Sequence, residues 1–302
     1  MALKDMLPEV LAEFPKLGRT DLRDFKKGID ETFRGFSREY GELIENFFYP
    51  LKVFLVWFEK LLLATPWPLM LIIVAVLVWL GARSWVLTIG TTLSLLLIGY
   101  LGMWDDTMRT LALVSVSTFV CILVGIPVGI LMSKSDRLQS IITPILDIMQ
   151  TIPAFVYLIP VLLLLGIGKV PGLIAVCIYA IPPVVRLTNL GIRLVDKDVL
   201  EAADAFGASP SQKMFKVQLP LALANLFAGV NQTIMMALAM VVVASMIGAP
   251  GLGTQVLKAV QNQYLALGLM NGLAIVAIAI VFDRVSQKFG QRLQKHSEVV
   301  HG

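Results

Sequence analysis

Apolar runs of membrane length follow one another from about residue 46 to about residue 284, with short polar interruptions. Runs near 66–82, 84–102, 107–132, 141–166, 170–191, 218–248 and 265–284 read as seven transmembrane helices. Most approach or exceed the roughly 20 residues that a bilayer core requires. The first is short and ends at the Gly81–Arg83 turn, whereas 218–248 is longer than needed, so part of it tilts or projects. The stretch 46–65 is apolar but carries Lys52, Glu59 and Lys60. That pattern suits an interfacial helix, lying along the membrane or packed across the bundle, better than a span. If it does cross, the N-terminus moves to the cytoplasmic side. Within residues 1–45, Leu22, Phe25, Ile29, Phe33 and Phe36 recur at roughly helical spacing among mixed charges, the pattern of an amphipathic or partly ordered segment. Residues 291–302 form a polar tail. The expected fold is all-α: a polytopic transmembrane helical bundle of about seven spans over 66–290, preceded by an interfacial helix.

One polar island breaks the C-terminal half, EAADAFGASPSQKMFKVQLP at Glu201–Pro220. Its local signals predict two short helices joined by a tight corner within a loop at 196–217. Asp198 is placed to cap the first helix, with Glu201 three residues on as the capping-box acid. Gly207 suits the left-handed position that ends a helix. Ser209 caps the second helix, Pro210 takes its first position and Gln212 completes another capping box.

Composition agrees with a membrane protein. The 302 residues are 57% hydrophobic and 15% charged, with a mean hydropathy of +0.80, outside the range of a soluble domain of this length. The net charge of +4 needs no nucleic-acid partner. Cys121 and Cys177 lie in apolar runs and read as packing residues, and no metal cluster is suggested. Placing Glu201 in the cytoplasm puts Arg83, Lys134, Arg137, Arg193, Lys197, Lys213, Lys216, Arg284 and Lys288 inside, against Arg109, Lys169 and Lys258 outside. This is the asymmetry that topology rules demand.

Glu201-Ala202-Ala203, three residues, Gly207, nine residues, Val217, one residue and Leu219-Pro220 resemble the EAA loop of ABC importer permeases, with Val217 where the family has Ile. QTIPAFVYLIPVLLLLGIGKVPG (150–172), FGASPSQKMFKVQLPLA (206–222) and AGVNQTIMMALAMVVVASMIG (228–248) resemble more narrowly the permeases of glycine betaine/proline betaine importers. The likeness runs from about Leu61 to about Phe289. It implies a multi-pass permease in the bacterial cytoplasmic (inner) membrane that does not hydrolyse ATP itself. Its implied partners are two copies of an ATPase subunit carrying ATP and Mg, an extracytoplasmic substrate-binding protein and a second copy of this chain. The implied cargo is a small methylated amine of the glycine betaine, proline betaine, choline or trimethylamine N-oxide type. In that reading Glu201, Ala202, Ala203, Asp204, Phe206, Gly207, Ala208, Leu219 and Pro220 couple the spans to the ATPase. Ala202 and Ala203 permit close approach, and Phe206 is an apolar anchor.

Pathway signals are weaker. Pro144, Pro153, Pro160, Pro182 and Pro183 each free a helical carbonyl, as broken transporter helices do. Gln150, Thr151, Pro153, Tyr157, Asn231 and Gln232 are candidates for the translocation path, with interhelical bonding the competing role. Asp147 and Arg186 sit toward the cytoplasmic ends of their helices, where they pair or anchor. With little charge at mid-membrane, an ion-coupled carrier lacks the groups to bind its driving ion. The glycine-rich IGAPGLGTQV (247–256) lacks the Lys-Ser/Thr ending of a phosphate loop. It lies on the outer side, where Gly251, Gly253 and Thr254 are candidates for an external gate or docking element, followed by a short helix over Thr254–Tyr264.

Overall fold

The computed structural model of the chain describes residues 16–301, with side chains to residue 290. Residues 1–15 of the mixed-charge segment and the side chains of the polar tail lie outside the described residues. The chain divides into two units at Phe47/Phe48. The first is the leading part of a long helix, α1 (Arg19–Ala64). There Phe25, Ile29 and Phe36 form an exposed apolar stripe.

The second unit begins with the end of α1 and continues through α2 (Trp67–Ala82), α3 (Trp85–Tyr100), α4 (Trp104–Lys134), α5 (Asp136–Thr151), α6 (Ala154–Leu165) and α7 (Lys169–Arg193). It is completed by α8 (Lys197–Ala205), α9 (Pro210–Ser245), α10 (Leu252–Asn262) and α11 (Leu265–His301). The described residues contain no strand, in agreement with the all-α expectation.

At the centre of this unit α7 is packed between α4 and α9. Its Leu173, Val176, Ala180 and Val184 are completely buried. Hydrocarbon tails are as apolar as leucine, so burial alone drives no association here; close packing must do it. Small residues supply that closeness. A Cβ on Gly129 of α4 would lie 2.7 Å from the Val185 carbonyl oxygen of α7, and one on Gly229 of α9 would lie 3.0 Å from the Val184 Cα. Gly125 and Gly129 form a small-xxx-small pair facing α7, a spacing visible in the sequence but absent from the expectations above. Cys121 and Cys177 serve the same contact. Both are free, and each thiol donates across the interface, Cys121 Sγ to the Cys177 carbonyl at 3.7 Å and Cys177 Sγ to the Ser117 carbonyl at 3.6 Å.

Two expectations need correction. The run 141–166 is not one continuous helix: α5 and α6 meet at a bend of 98°. Pro153 has no N–H to continue α5 and excludes the helical conformation from the residue before it. Ile152 is accordingly extended, with φ −64° and ψ 128°. Nor does helix length and composition return seven spans. Among the described residues four helices are long and apolar enough to cross a membrane, or up to six if each bent pair, α1–α2 and α5–α6, is one span, and α3 is a shorter apolar helix. The 46–65 stretch forms the end of α1. Leu55 is buried in the central core, and Leu51 and Phe58 pack against that core.

Replacing Gly129 with Val should destabilise the detergent-solubilised protein by about 1–3 kcal/mol through overpacking. Gly90→Ala, whose new methyl would meet nothing within 4 Å, should leave thermal unfolding unchanged. Equal melting of the two variants would contradict a glycine-dependent centre.

Candidate functional site

The polar corner is assembled from overlapping caps. Asp196, not Asp198, is the N-cap of α8; its carboxylate accepts from the Asp198 N–H at 2.9 Å. Asp198 lies inside the first turn, where its negative charge still complements the helix dipole. The sequence offered an acid at both positions, and the start of the helical backbone decides between them. At the other end the Gly207 N–H donates to the Asp204 carbonyl at 2.9 Å and the Ala208 N–H to the Ala203 carbonyl at 3.0 Å. This is the paired Schellman closure, which needs a left-handed residue, and Gly207 has φ +76°.

The second helix starts as expected. Ser209 accepts from the Gln212 N–H at 3.3 Å while the Gln212 side chain accepts from the Ser209 N–H at 2.9 Å, with Pro210 in the first turn. Lys213 then reaches back to both oxygens of Asp204 at 2.7 Å, bracing the two arms. The helix next widens into a π-turn over Lys213–Gln218, where the Leu219 N–H reaches the Met214 carbonyl five residues back. Pro220 accounts for it. An ideal α-helix would set its ring against the Lys216 carbonyl and leave that carbonyl without a donor.

The corner is fixed to the bundle by contacts that sequence reading missed. Arg193, at the end of α7, donates to the Asp136 carboxylate at 2.7 Å, the Met132 carbonyl at 2.9 Å and the Asn189 side chain at 3.0 Å. One guanidinium thus ties the α4–α5 junction to the chain that enters α8. Beyond the corner Met214 is buried with Ile192, Ala222 and Leu226. A basic residue ending a span looks like ordinary topology, so only the tertiary structure reveals this role. The outward surface of the corner is open: Glu201 and Ala202 are exposed, and the Phe206 ring is 92% exposed.

The path candidates separate. Gln150 and Tyr157 flank the α5–α6 bend and both point at α9, donating to the sulfurs of Met236 at 3.7 Å and Met240 at 3.6 Å. Thr151 and Pro153 are exposed beside them. Asn231 is engaged elsewhere, donating to Asp283 of α11 at 2.8 Å and accepting from Ser286. It joins α9 to α11. Gln232 is exposed. Asp147 and Arg186 do pair, at 2.5 Å.

At the opposite end Gly251 caps α10, Gly253 and Thr254 lie in its first turn, and that turn is stapled to α4. The Leu252 N–H donates to Thr110 Oγ1 at 2.9 Å, and the Gln255 side chain to Asp106 at 2.8 Å. Gly253 is obligatory, since a Cβ there would lie 2.5 Å from the Val241 carbonyl oxygen. Beside them Glu59, only 7% exposed, binds Lys169 at 2.7 Å and faces Arg109 at 3.9 Å. Of the three charges that made 46–65 a poor span, Glu59 is thus paired within the bundle.

Apolar helices closed around a glycine-spaced centre, with one braced polar corner projecting at one end, define a helical membrane protein of the permease class. Residues 122–295 match the family described as binding-protein-dependent transport system inner membrane component, and the chain belongs to that family. It is 47% identical over 242 residues (80% of this chain, 68% of the relative) to the glycine betaine/proline betaine transport system permease protein ProW of Escherichia coli (strain K12). It is 44% identical over 274 residues (90% and 94%) to the glycine betaine transport system permease protein OpuAB of Bacillus subtilis (strain 168). The fold matches a chain of the MetNI methionine ABC transporter in an inward-facing form, with TM-score 0.57 at 22% identity, over 63% of this chain and 95% of that one.

Ser209→Ala should weaken the start of the second helix by about 1 kcal/mol. Amide exchange over residues 209–213 should accelerate severalfold while α4 and α7 stay protected. Unchanged exchange at those amides would mean that the cap does not hold the corner.

Proposed function

We propose that this chain is the membrane-spanning subunit of an ATP-driven, binding-protein-dependent importer for a small methylated amine of the glycine betaine or proline betaine type. The observation that carries the reading is the corner. Cap, Schellman closure and Asp204–Lys213 bridge hold it rigid, yet its outer face presents Phe206 to solvent. A rigid exposed element rooted in α7 and α9 transmits force; a loop that only connects two spans has no need of such bracing.

In this mechanism a separate ATPase, with its ATP and Mg, receives α8 in a groove. Ala202 and Ala203 let the backbones approach, and Phe206 fills an apolar pocket. Closure of an ATPase dimer pushes on the corner, and Arg193 and Met214 pass the movement into α4, α7 and α9. Two permease chains then alternate between inward- and outward-open cavities, the outer one facing a loaded binding protein. Gln150 and Tyr157, at the bend beside the α9 methionines, are the side chains of this chain assigned to the path, and the turn at Gly251–Thr254 is the outer element. The names of the relatives above support the cargo class.

The test is a pull-down of the tagged permease from mild detergent, followed by transport in vesicles. An ABC-type ATPase should co-purify at one copy per permease, and Phe206→Asp should reduce its recovery at least tenfold. Gly207→Val cannot hold the left-handed cap without strain of about 1–2 kcal/mol and should separate ATP hydrolysis from betaine uptake. Recovery of a homomer free of ATPase, even after crosslinking, would overturn the proposal.

A further inference from the structure

The last part of α7 carries two arginines, and they are bonded very differently. Arg193 spends its whole fork: Nε on the Asn189 side chain at 3.0 Å, Nη1 on the Asp136 carboxylate at 2.7 Å and Nη2 on the Met132 carbonyl at 2.9 Å. Arg186 stands two turns earlier, about 10 Å deeper in a helix long and apolar enough to cross a membrane. Among the described residues it makes one bond, from Nη2 to Asp147 Oδ1 at 2.5 Å, while its Nε is buried without a partner. A guanidinium carries five N–H donors. Most of this one's capacity is thus unspent at a depth where a charge is costly.

A tether between helices does not account for the pair. The Arg186 and Asp147 side chains are 38% and 54% exposed, and ion pairs this open contribute little to holding helices together. Leu146, buried with Val185 and Met132, already joins α5 to α7 and α4 beside it. What the pair does supply is two opposite charges side by side, open to the surroundings, at the edge of that apolar contact. The Thr151 hydroxyl is turned back onto the Asp147 carbonyl at 2.9 Å and does not compete for the carboxylate. Gln150, about one turn along α5 from Asp147, begins the side chains assigned to the path.

We infer that Asp147 and Arg186 form a transit subsite for a zwitterion, in which a carboxylate of the cargo takes the Arg186 guanidinium from Asp147 while the Asp147 carboxylate faces the methylated ammonium. The inference rests on the importer function proposed above and deepens it by naming the groups that meet each pole of the cargo. A zwitterion is neutral overall, yet both poles must be met when it leaves water. An ion pair meets them and is also satisfied when empty, because its two charges then answer each other. A lone arginine or aspartate would stand as a bare charge in the empty site. The unspent donors of Arg186 suit the exchange, since a carboxylate is held best through two N–H groups of the fork. A quaternary ammonium has no N–H to donate and asks Asp147 for charge alone. The subsite therefore favours a methylated amine that bears a carboxylate over the same ammonium without one.

Saturation-transfer NMR of the permease alone in nanodiscs tests the assignment, with glycine betaine and choline as probes; choline has the same trimethylammonium but no carboxylate. The unsubstituted chain should give a saturable glycine betaine signal and bind choline at least tenfold more weakly. Arg186→Gln should lower glycine betaine affinity at least tenfold without weakening choline. Combining Asp147→Asn with Arg186→Gln keeps the site neutral, so thermal unfolding should be unchanged while glycine betaine binding is still lost. A mere tether predicts the reverse, altered melting with binding intact. Lys134→Gln, which removes an exposed cation elsewhere, should bind both probes normally. No saturable signal, equal affinity for the two probes, or binding untouched by the double substitution would each overturn the inference. No partner subunit takes part, so a chain that recovers its ATPase yet fails here loses the subsite while its importer function stands. Saturable binding by a chain that recovers no ATPase would do the converse.

Discussion

Everything in the second unit depends on how closely three helices approach at α7. In lipid the hydrophobic effect gives no reason for α4 and α9 to prefer α7 over hydrocarbon, so contact area and backbone proximity must supply it. Gly129 and Gly229 bring neighbouring backbones within reach of α7, and the crossed thiol contacts of Cys121 and Cys177 lie in the same seam. Such an interface resists gradual deformation, because extra volume at Gly129 or Gly229 meets a carbonyl oxygen or a Cα that cannot turn aside.

That rigidity gives the polar corner its meaning. The corner is continuous with α7 on one side and α9 on the other, the two helices most tightly joined at the centre. Arg193 adds the α4–α5 junction to the same body. A push at Phe206 therefore reaches three helices together. The bend at Ile152–Pro153 lies outside this body, and the side chains nearest it touch α9 through methionine sulfur, a soft and adaptable contact. Rigid packing at the centre and soft methionine contacts at the bend are thus separated within one chain.

How legible each part was follows from the range of the forces involved. The corner was readable because caps are local: Gly207, Ser209, Pro210 and Gln212 act within a few residues of themselves. The choice of Asp196 over Asp198 was not, since both are acids and both suit a first turn. Apolar length announced the bundle but hid the break at Pro153, because proline bends some membrane helices and ends others according to what surrounds them. Arg193 was passed over, and the partners of Asn231 went unforeseen, for a related reason. Their partners Asp136, Asp283 and Ser286 lie more than fifty residues away, and nothing in the local pattern selects them. The pair Gly125–Gly129 was the one signal present in plain spacing and left unread.

The π-turn ahead of Pro220 carries a consequence for how this protein can vary. A wide turn accommodates one residue beyond the α-helical count, and each residue of a helix accounts for about 100° of rotation. The number of residues between Gly207 and Leu219-Pro220 therefore sets the angle at which the corner faces away from the bundle. Adding or deleting a single residue there would turn the corner by roughly a quarter turn relative to α9, at the expense of the Met214 packing or of the Asp204–Lys213 bridge. The length of that stretch is thus a matter of aim as well as of packing.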